Sequence, residues 1–135
     1  MPCWKLKVDP TVFGLIFSLG DKLKTYRLMN ILELKNNPTF RDFQEYVKEL
    51  EAVRGFEDQN SLEKCLLLGE ELGELFKAVR KSMNLKTDIN SNIGSVREEI
   101  ADMVIYLCAI ANRFEIDIEE AFREKEVINQ RREWK

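Results

Sequence analysis

The stretch from Val96 to Leu107, VREEIADMVIYL, predicts a helix around which the rest of the chain is organised. Its apolar residues recur at three- and four-residue spacing, which is typical of one face of a helix. They are Val96, Ile100, Met103, Val104 and Leu107. Glu99 and Asp102 lie about 80° and 140° from the centre of that apolar arc. Two carboxylates one turn apart beside a packing face repel each other and resist desolvation, so the pair predicts a bound cation.

A second stretch, Leu68 to Phe76 (LGEELGELF), repeats this arrangement 28 positions earlier in the chain. On a helical wheel, Glu71 and Glu74 lie on the same side of their apolar arc as Glu99 and Asp102 do of theirs. Gly73 and Ala101 are small enough to let two such helices approach closely, and antiparallel packing would bring four carboxylates into one cleft. The predicted metal ligands are Glu71, Glu74, Glu99 and Asp102. The alternative is two solvated acidic helix faces without a ligand.

Composition predicts a single domain. The chain has 135 residues, 44% apolar and 33% charged, which suits a helical protein with one core. Its net charge of −3 argues against binding to a nucleic-acid polymer, which favours a basic surface. The longest nearly apolar run, residues 12–19, is too short to span a bilayer, so no membrane partner is expected.

The cysteine and histidine content limits the kinds of catalytic and metal-binding site that the chain can form. Cys3, Cys65 and Cys108 are odd in number and widely spaced, which favours free thiols in a reducing, cytoplasmic compartment. We expect Cys65 and Cys108 to be core residues. The chain has no histidine, which excludes Ser-His and Cys-His nucleophile pairs and imidazole-ligated zinc. A site made only of carboxylates favours Mg²⁺, with Mn²⁺ as the alternative.

Capping signals predict four helices and no strand, hence an all-α fold with a four-helix, bundle-like core. Each predicted N-cap is followed three positions later by an acidic residue. The helices are expected from Thr39 to about Arg54, Asn60 to about Met83, Ser95 to about Arg113, and Asp117 to about Trp134. Glu98 is the capping partner of Ser95 and is therefore not assigned to metal.

The first 37 residues carry no convincing helix start, and Asn36-Asn37-Pro38 is a break. We expect residues 1–37 to be an N-terminal extension and residues 38–135 to form the domain. Met29 is a possible working start under this hypothesis.

The inward stripe of the last predicted helix changes from apolar to cationic along its length. It begins with Ile118, Ala121 and Phe122 and continues with Lys125, Asn129 and Arg132. A core-facing cationic stripe needs an anion. The partner is either a carboxylate of the acidic cluster or the phosphate tail of a ligand.

These motifs in combination resemble the all-α nucleoside triphosphate pyrophosphohydrolases, the MazG-like group. The pattern Glu-Glu-x-x-Glu, then Glu-x-x-Asp, then Lys-x-x-x-Asn-x-x-Arg carries the resemblance over about residues 39–135. The resemblance implies Mg²⁺-dependent hydrolysis of a nucleoside triphosphate between the α and β phosphates, giving the monophosphate and pyrophosphate. It also implies a homodimer or homotetramer.

The resemblance also implies residue roles. The four carboxylates named above match the family's metal ligands. Lys125, Asn129 and Arg132 match its phosphate-contacting stretch, Tyr106 a pocket aromatic, and Phe56 an aromatic that stacks on the base. We expect Glu71 to act as both ligand and general base, with Glu70 as the fallback, and Lys125 to neutralise the leaving pyrophosphate.

Oligomerisation has its own sequence signal, because Ile105 and Leu67 fall where a monomeric helix would favour a polar side chain. A symmetric dimer explains both residues. Two other classes remain open at this point. One is a non-catalytic helical module that binds a cation or a basic peptide, and the other is a structural helical dimer.

Overall fold

The structure is a computed structural model that describes residues 32–133. Its four helices are α1 (Phe40–Arg54), α2 (Ser61–Ser82), α3 (Val96–Arg113) and α4 (Ile118–Asn129). No strand occurs in residues 32–133, so the predicted all-α fold is confirmed. The expectations for residues 1–31, including Cys3 and Met29, lie outside the described residues. No helix within residues 32–133 combines the length and hydropathy required to cross a bilayer.

The predicted capping residues begin all four helices. Thr39, Asn60 and Ser95 each accept from the third helical N–H while the acidic residue there accepts from the cap's own N–H. Asp117 caps α4 through one oxygen only, and its other oxygen accepts from Arg41 at 2.7 Å. The predicted end of α4 is wrong, because the helix stops at Asn129. No residue of α4 is buried, so tertiary packing does not stabilise a longer helix.

Helix α3 is central and packs against α1 on one side and α2 on the other. Side chains join opposite ends of α2 and α3, which shows that these two helices are antiparallel. Arg113, the last residue of α3, donates from Nε to the Gln59 carbonyl before α2 at 2.7 Å. Lys81, near the end of α2, donates to the Ile93 carbonyl before α3 at 3.1 Å.

The apolar core lies between α1 and α3. Val47, Cys108 and Ala109 are its fully buried members, with Ile105 packed against them. Ile105 therefore faces the core, and its predicted outward position is wrong. Gln44 fixes α1 to the α3–α4 junction: its amide donates to the Ile116 carbonyl at 2.8 Å and accepts from the Ile118 N–H at 3.1 Å.

The apolar arcs of α2 and α3 were predicted to be packing faces, but about half of their residues are exposed in this chain. The two helices meet along the sides that carry the carboxylates. Leu72 is 39%, Phe76 60%, Ile100 50% and Leu107 48% exposed. Cys65 is also exposed, contrary to expectation, because it lies toward the same outer side of α2. The apolar pattern therefore marks an outer face of this chain.

Candidate metal centre

Three carboxylates from two helices meet inside the molecule. One oxygen each from Glu71 of α2 and from Glu99 and Asp102 of α3 lie within 4.8 Å of one another. These side chains are only 1%, 0% and 2% exposed. Among the five largest fully buried side chains of the described residues, three are these acids. Buried like charges are costly unless a cation compensates them, so this cluster has the properties of a metal centre.

The spacing of the buried residues places the cluster in a polar seam between α2 and α3. On α2 the buried positions recur every seven residues, at Lys64, Glu71 and Ala78. The seam side of α3 consists of Glu99, Asp102, Tyr106, Ala109 and Arg113. A seven-residue step returns a helix to almost the same direction, so one straight line of α2 faces α3. The acids, Lys64 and Tyr106 therefore belong to one continuous interface.

The other acidic residues of α2 lie differently. Glu74 is half-buried and is not among the three clustered carboxylates, so the structure brings together three of the four predicted ligands. Glu70 is exposed, which places it away from the buried cluster. Glu98 is the capping partner of Ser95, as predicted, and accepts from its N–H at 2.8 Å.

A buried ion network adjoins the carboxylates along the seam. Lys64, only 2% exposed, lies 2.6 Å from Glu51 of α1 and donates to the Gln59 side chain at 2.6 Å. Arg113 pairs with both oxygens of the same Glu51, at 2.9 and 3.1 Å. Bidentate pairing of this kind fixes geometry as well as charge. The network therefore ties α1 to the two helices that carry the cluster.

The predicted base-stacking residue borders this network. Phe56 is half-buried, and its ring centre is 5.4 Å from Lys64 Nζ, while the Tyr106 ring centre is 5.8 Å from the same atom. The two rings and Leu67 line a cavity of about 30 Å³. Leu67 is thus half-buried inside the chain, and its predicted outward position is wrong. A space of this size holds one or two waters, so a base would enter only after a side chain moves.

The cationic stripe of α4 does not face the core. Ile118 packs against the core cluster, but Ala121 and Phe122 are exposed, so the inward stripe ends after the first turn. The three predicted phosphate-contacting residues lie beyond that point. Lys125 and Arg132 are exposed, and Asn129 is half-buried and donates to Glu126 at 2.7 Å. Helix α4 contacts α1, which explains why its far end lies away from the core.

Comparison with models of protein families identifies the family to which this chain belongs. Residues 57–133, more than half of the chain, match the MazG nucleotide pyrophosphohydrolase domain. The chain belongs to this MazG family. The match covers α2, α3 and α4, including the three buried carboxylates, and begins after α1 ends. The predicted resemblance is thereby confirmed. No curated protein matches the chain.

Sequence reasoning missed the ion network that accompanies the MazG carboxylates. Lys64 lies seven residues before Glu71 and hence on the same helical side, which was a usable signal. A helical wheel centred on the apolar arc of α2 does not single out this position. Glu51 gave no comparable signal, since it belongs to a different helix and its partners are distant in sequence.

Proposed function

We propose that this MazG-family chain hydrolyses nucleoside triphosphates between the α and β phosphates, releasing the monophosphate and pyrophosphate. The observation that carries the proposal is the buried cluster of Glu71, Glu99 and Asp102 in a chain of this family. Family membership supports the reaction class, and the cluster supports a divalent ion as cofactor. The nucleotide is the proposed small-molecule partner.

The donor set fits Mg²⁺ or Mn²⁺. All three clustered groups offer oxygen, the ligand that hard divalent ions prefer. The three groups also lie close enough for their oxygens to contact one ion, since one oxygen of each lies within 4.8 Å of the others. Glu74, half-buried one turn after Glu71, is the proposed fourth ligand because a side-chain rotation can turn it toward the cluster.

The proposed reaction assigns a role to each side chain. When bound, the divalent ion supplies Lewis acidity that offsets the charge of the phosphate oxygens. Glu71 accepts a proton from the attacking water as the new oxygen–Pα bond forms. The bond from Pα to the bridging oxygen breaks, and that oxygen leaves with pyrophosphate. Glu99 and Asp102 hold the ion in a site from which bulk water is largely excluded, where electrostatic stabilisation is strong.

We propose that Lys125, Asn129 and Arg132 contact the phosphates, with Lys125 offsetting the charge of the leaving pyrophosphate. Lys125 and Arg132 are exposed and therefore accessible to a ligand, and Asn129 lies between them on the same helical stripe. Tyr106 and Phe56 are the proposed aromatic contacts of the nucleotide, since their rings line one small cavity beside Lys64. Opening of the small cavity between them would accompany binding.

A panel of standard and modified nucleoside triphosphates, assayed for pyrophosphate release with and without Mg²⁺, tests the reaction. We expect Glu71→Gln and Asp102→Asn to lose turnover while retaining helical circular dichroism. Glu70→Gln is the matched control, because it makes the same change at the adjacent, exposed position. Full turnover in both site variants would refute the assignment. Saturable Mg²⁺ binding without hydrolysis of any nucleotide would instead support the non-catalytic binding module.

We also propose that the outer apolar faces of α2 and α3 are covered by a second copy of the chain, as a homodimer or within a homotetramer. Leu62, Leu66 and Phe76 of α2 are 60–67% exposed, and the arc of α3 adds Ile100 and Leu107. Faces of this kind are costly in water and mark interaction surfaces. Light scattering at micromolar concentration tests the oligomer, and a monomeric mass would refute it. Phe76→Lys is expected to weaken the assembly.

A further inference from the structure

We propose that Gly94 is a positioning residue that sets the Glu99 carboxylate, and this inference rests on the proposed role of Glu99 as a metal ligand. The position has no side chain, and the Glu99 carboxylate occupies the space that one would take. A Cβ built on Gly94 would lie 1.9 Å from Glu99 Oε1 and 3.2 Å from Glu99 Cδ. Only a residue without Cβ leaves the carboxylate where it is.

The local backbone explains why these two residues meet. Ser95 is the N-cap of α3, and the Glu99 N–H donates to the Ser95 carbonyl as the first bond of the helix, at 3.1 Å. Side chains of a helix lean toward its N-terminus. Glu99 therefore extends back past the cap and over the residue before it. Lys81 holds the loop in place from α2 through its bond to the Ile93 carbonyl.

The steric restriction concerns the carboxylate rather than the backbone. Gly94 does not adopt a positive φ, so alanine suits its backbone conformation. The same added Cβ would lie 3.5 Å from Glu98 Oε2, an ordinary contact that preserves the capping box. Real Cβ contacts below 3.0 Å essentially never occur, so Glu99 Oε1 must move by about 1 Å or more. Because Oε1 ends a flexible side chain, the movement costs little stability, but it displaces a proposed ligand atom.

The test is Gly94→Ala in the full chain, with Mn²⁺ as the probe ion, measured by calorimetry and by electron paramagnetic resonance. Changes to groups that orient metal ligands reduce metal affinity by roughly 10–100-fold, and we expect a loss in this range. The metal-free melting temperature should be unchanged or higher. Gly69→Ala is the matched control, since a Cβ there meets no atom within 4 Å.

A double-mutant cycle separates positioning from a general structural effect. Glu99→Asp shortens the side chain and removes the clash, so adding Gly94→Ala to this variant should change Mn²⁺ affinity by less than about twofold. Equal losses from Gly94→Ala in both backgrounds would overturn the proposal. So would unchanged Mn²⁺ affinity of Gly94→Ala in the wild-type background.

A crystal structure of metal-free Gly94→Ala gives a readout that is independent of metal binding. We expect Oε1 of Glu99 to be displaced by about 1 Å or more from its position in the unsubstituted chain. An undisplaced carboxylate would refute the positioning role. If the wild-type chain binds no Mn²⁺ while the carboxylate is displaced as expected, the proposed function fails and the steric relation between Gly94 and Glu99 stands.

Discussion

Replacing Glu71 by glutamine should have two opposite effects: it should raise the stability of the metal-free protein and reduce the stabilisation that Mg²⁺ provides. The substitution keeps the size of the side chain and removes one of three clustered charges. Two unit charges 4.8 Å apart repel by about 3 kcal/mol at an effective dielectric constant of about 20. The mutual repulsion of the three carboxylates falls when the Glu71 side chain is neutral, and this change by itself favours the metal-free folded variant by about 1–3 kcal/mol.

The metal response should change in the opposite direction. An ion present at 100 times its dissociation constant stabilises the folded state by about 2.7 kcal/mol. For a domain of this size, that corresponds to an increase in melting temperature of about 10 °C. The variant should gain less than about a third of this, because a neutral amide replaces one carboxylate ligand.

Thermal unfolding followed by circular dichroism, with Mg²⁺ titrated into EDTA-treated protein, measures both quantities. Glu70→Gln is the control for removing a negative charge from α2 and should match wild type in both. The reasoning is refuted if Glu71→Gln lowers the metal-free melting temperature by several degrees and keeps the full Mg²⁺ response. That result would mean that the Glu71 carboxylate stabilises the fold and does not bind metal.

Three further outcomes follow from individual contacts. Lys64→Met should destabilise the protein by about 3 kcal/mol in guanidinium unfolding, because it breaks a buried ion pair. Lys35 and the capping contacts lower the pKa of Asp42 from its ordinary 3.8 to about 2, so its stabilising contribution is complete above about pH 4 and is lost as the pH falls through 2. In Asp42→Asn this part of the dependence of melting temperature on pH should disappear. Burial raises the pKa of the Cys108 thiol to about 11, so Ellman's reagent should label exposed Cys65 first and Cys108 only after unfolding.

Helix positions were predictable because their signals are local. The capping residues Thr39, Asn60, Ser95 and Asp117 each act within one turn of the chain, and all four predicted starts agree with the structure. The end of α4 was not predictable in this way, because it depends on what the helix packs against. Local propensity alone predicts a helix beyond Asn129, whereas the helix ends at that residue and none of its residues is buried.

The pairing of the carboxylates was predictable, but the direction of the apolar arcs was not. The repeat of the two acidic motifs placed Glu71 and Glu99 on equivalent sides of two helices, and the structure brings them together. The arcs were assigned to the interior by the usual rule that apolar faces are buried within a chain. Ile100 and Leu107 break that rule here, because periodicity identifies a face and does not say which molecule covers it.

The ion network around Lys64 shows a different limit of prediction from sequence. Its members come from α1, α2 and α3, and Glu51 and Arg113 are 62 residues apart. Charged residues in a sequence are assigned to solvent by default. Only the assembled helices show that a lysine and a glutamate share an interior position.

The small residues on the α1 side of α3 imply two separable kinds of loss-of-function allele. Cys108 and Ala111 are at most 7% exposed, so larger side chains there would push the helices apart. Such alleles should be temperature-sensitive, with activity recovered at a permissive temperature. Alleles in the acidic residues on the opposite side of the same helix should be inactive at every temperature while the protein accumulates normally. In a genetic screen of substitutions along α3, the two phenotypes should therefore alternate with the period of the helix.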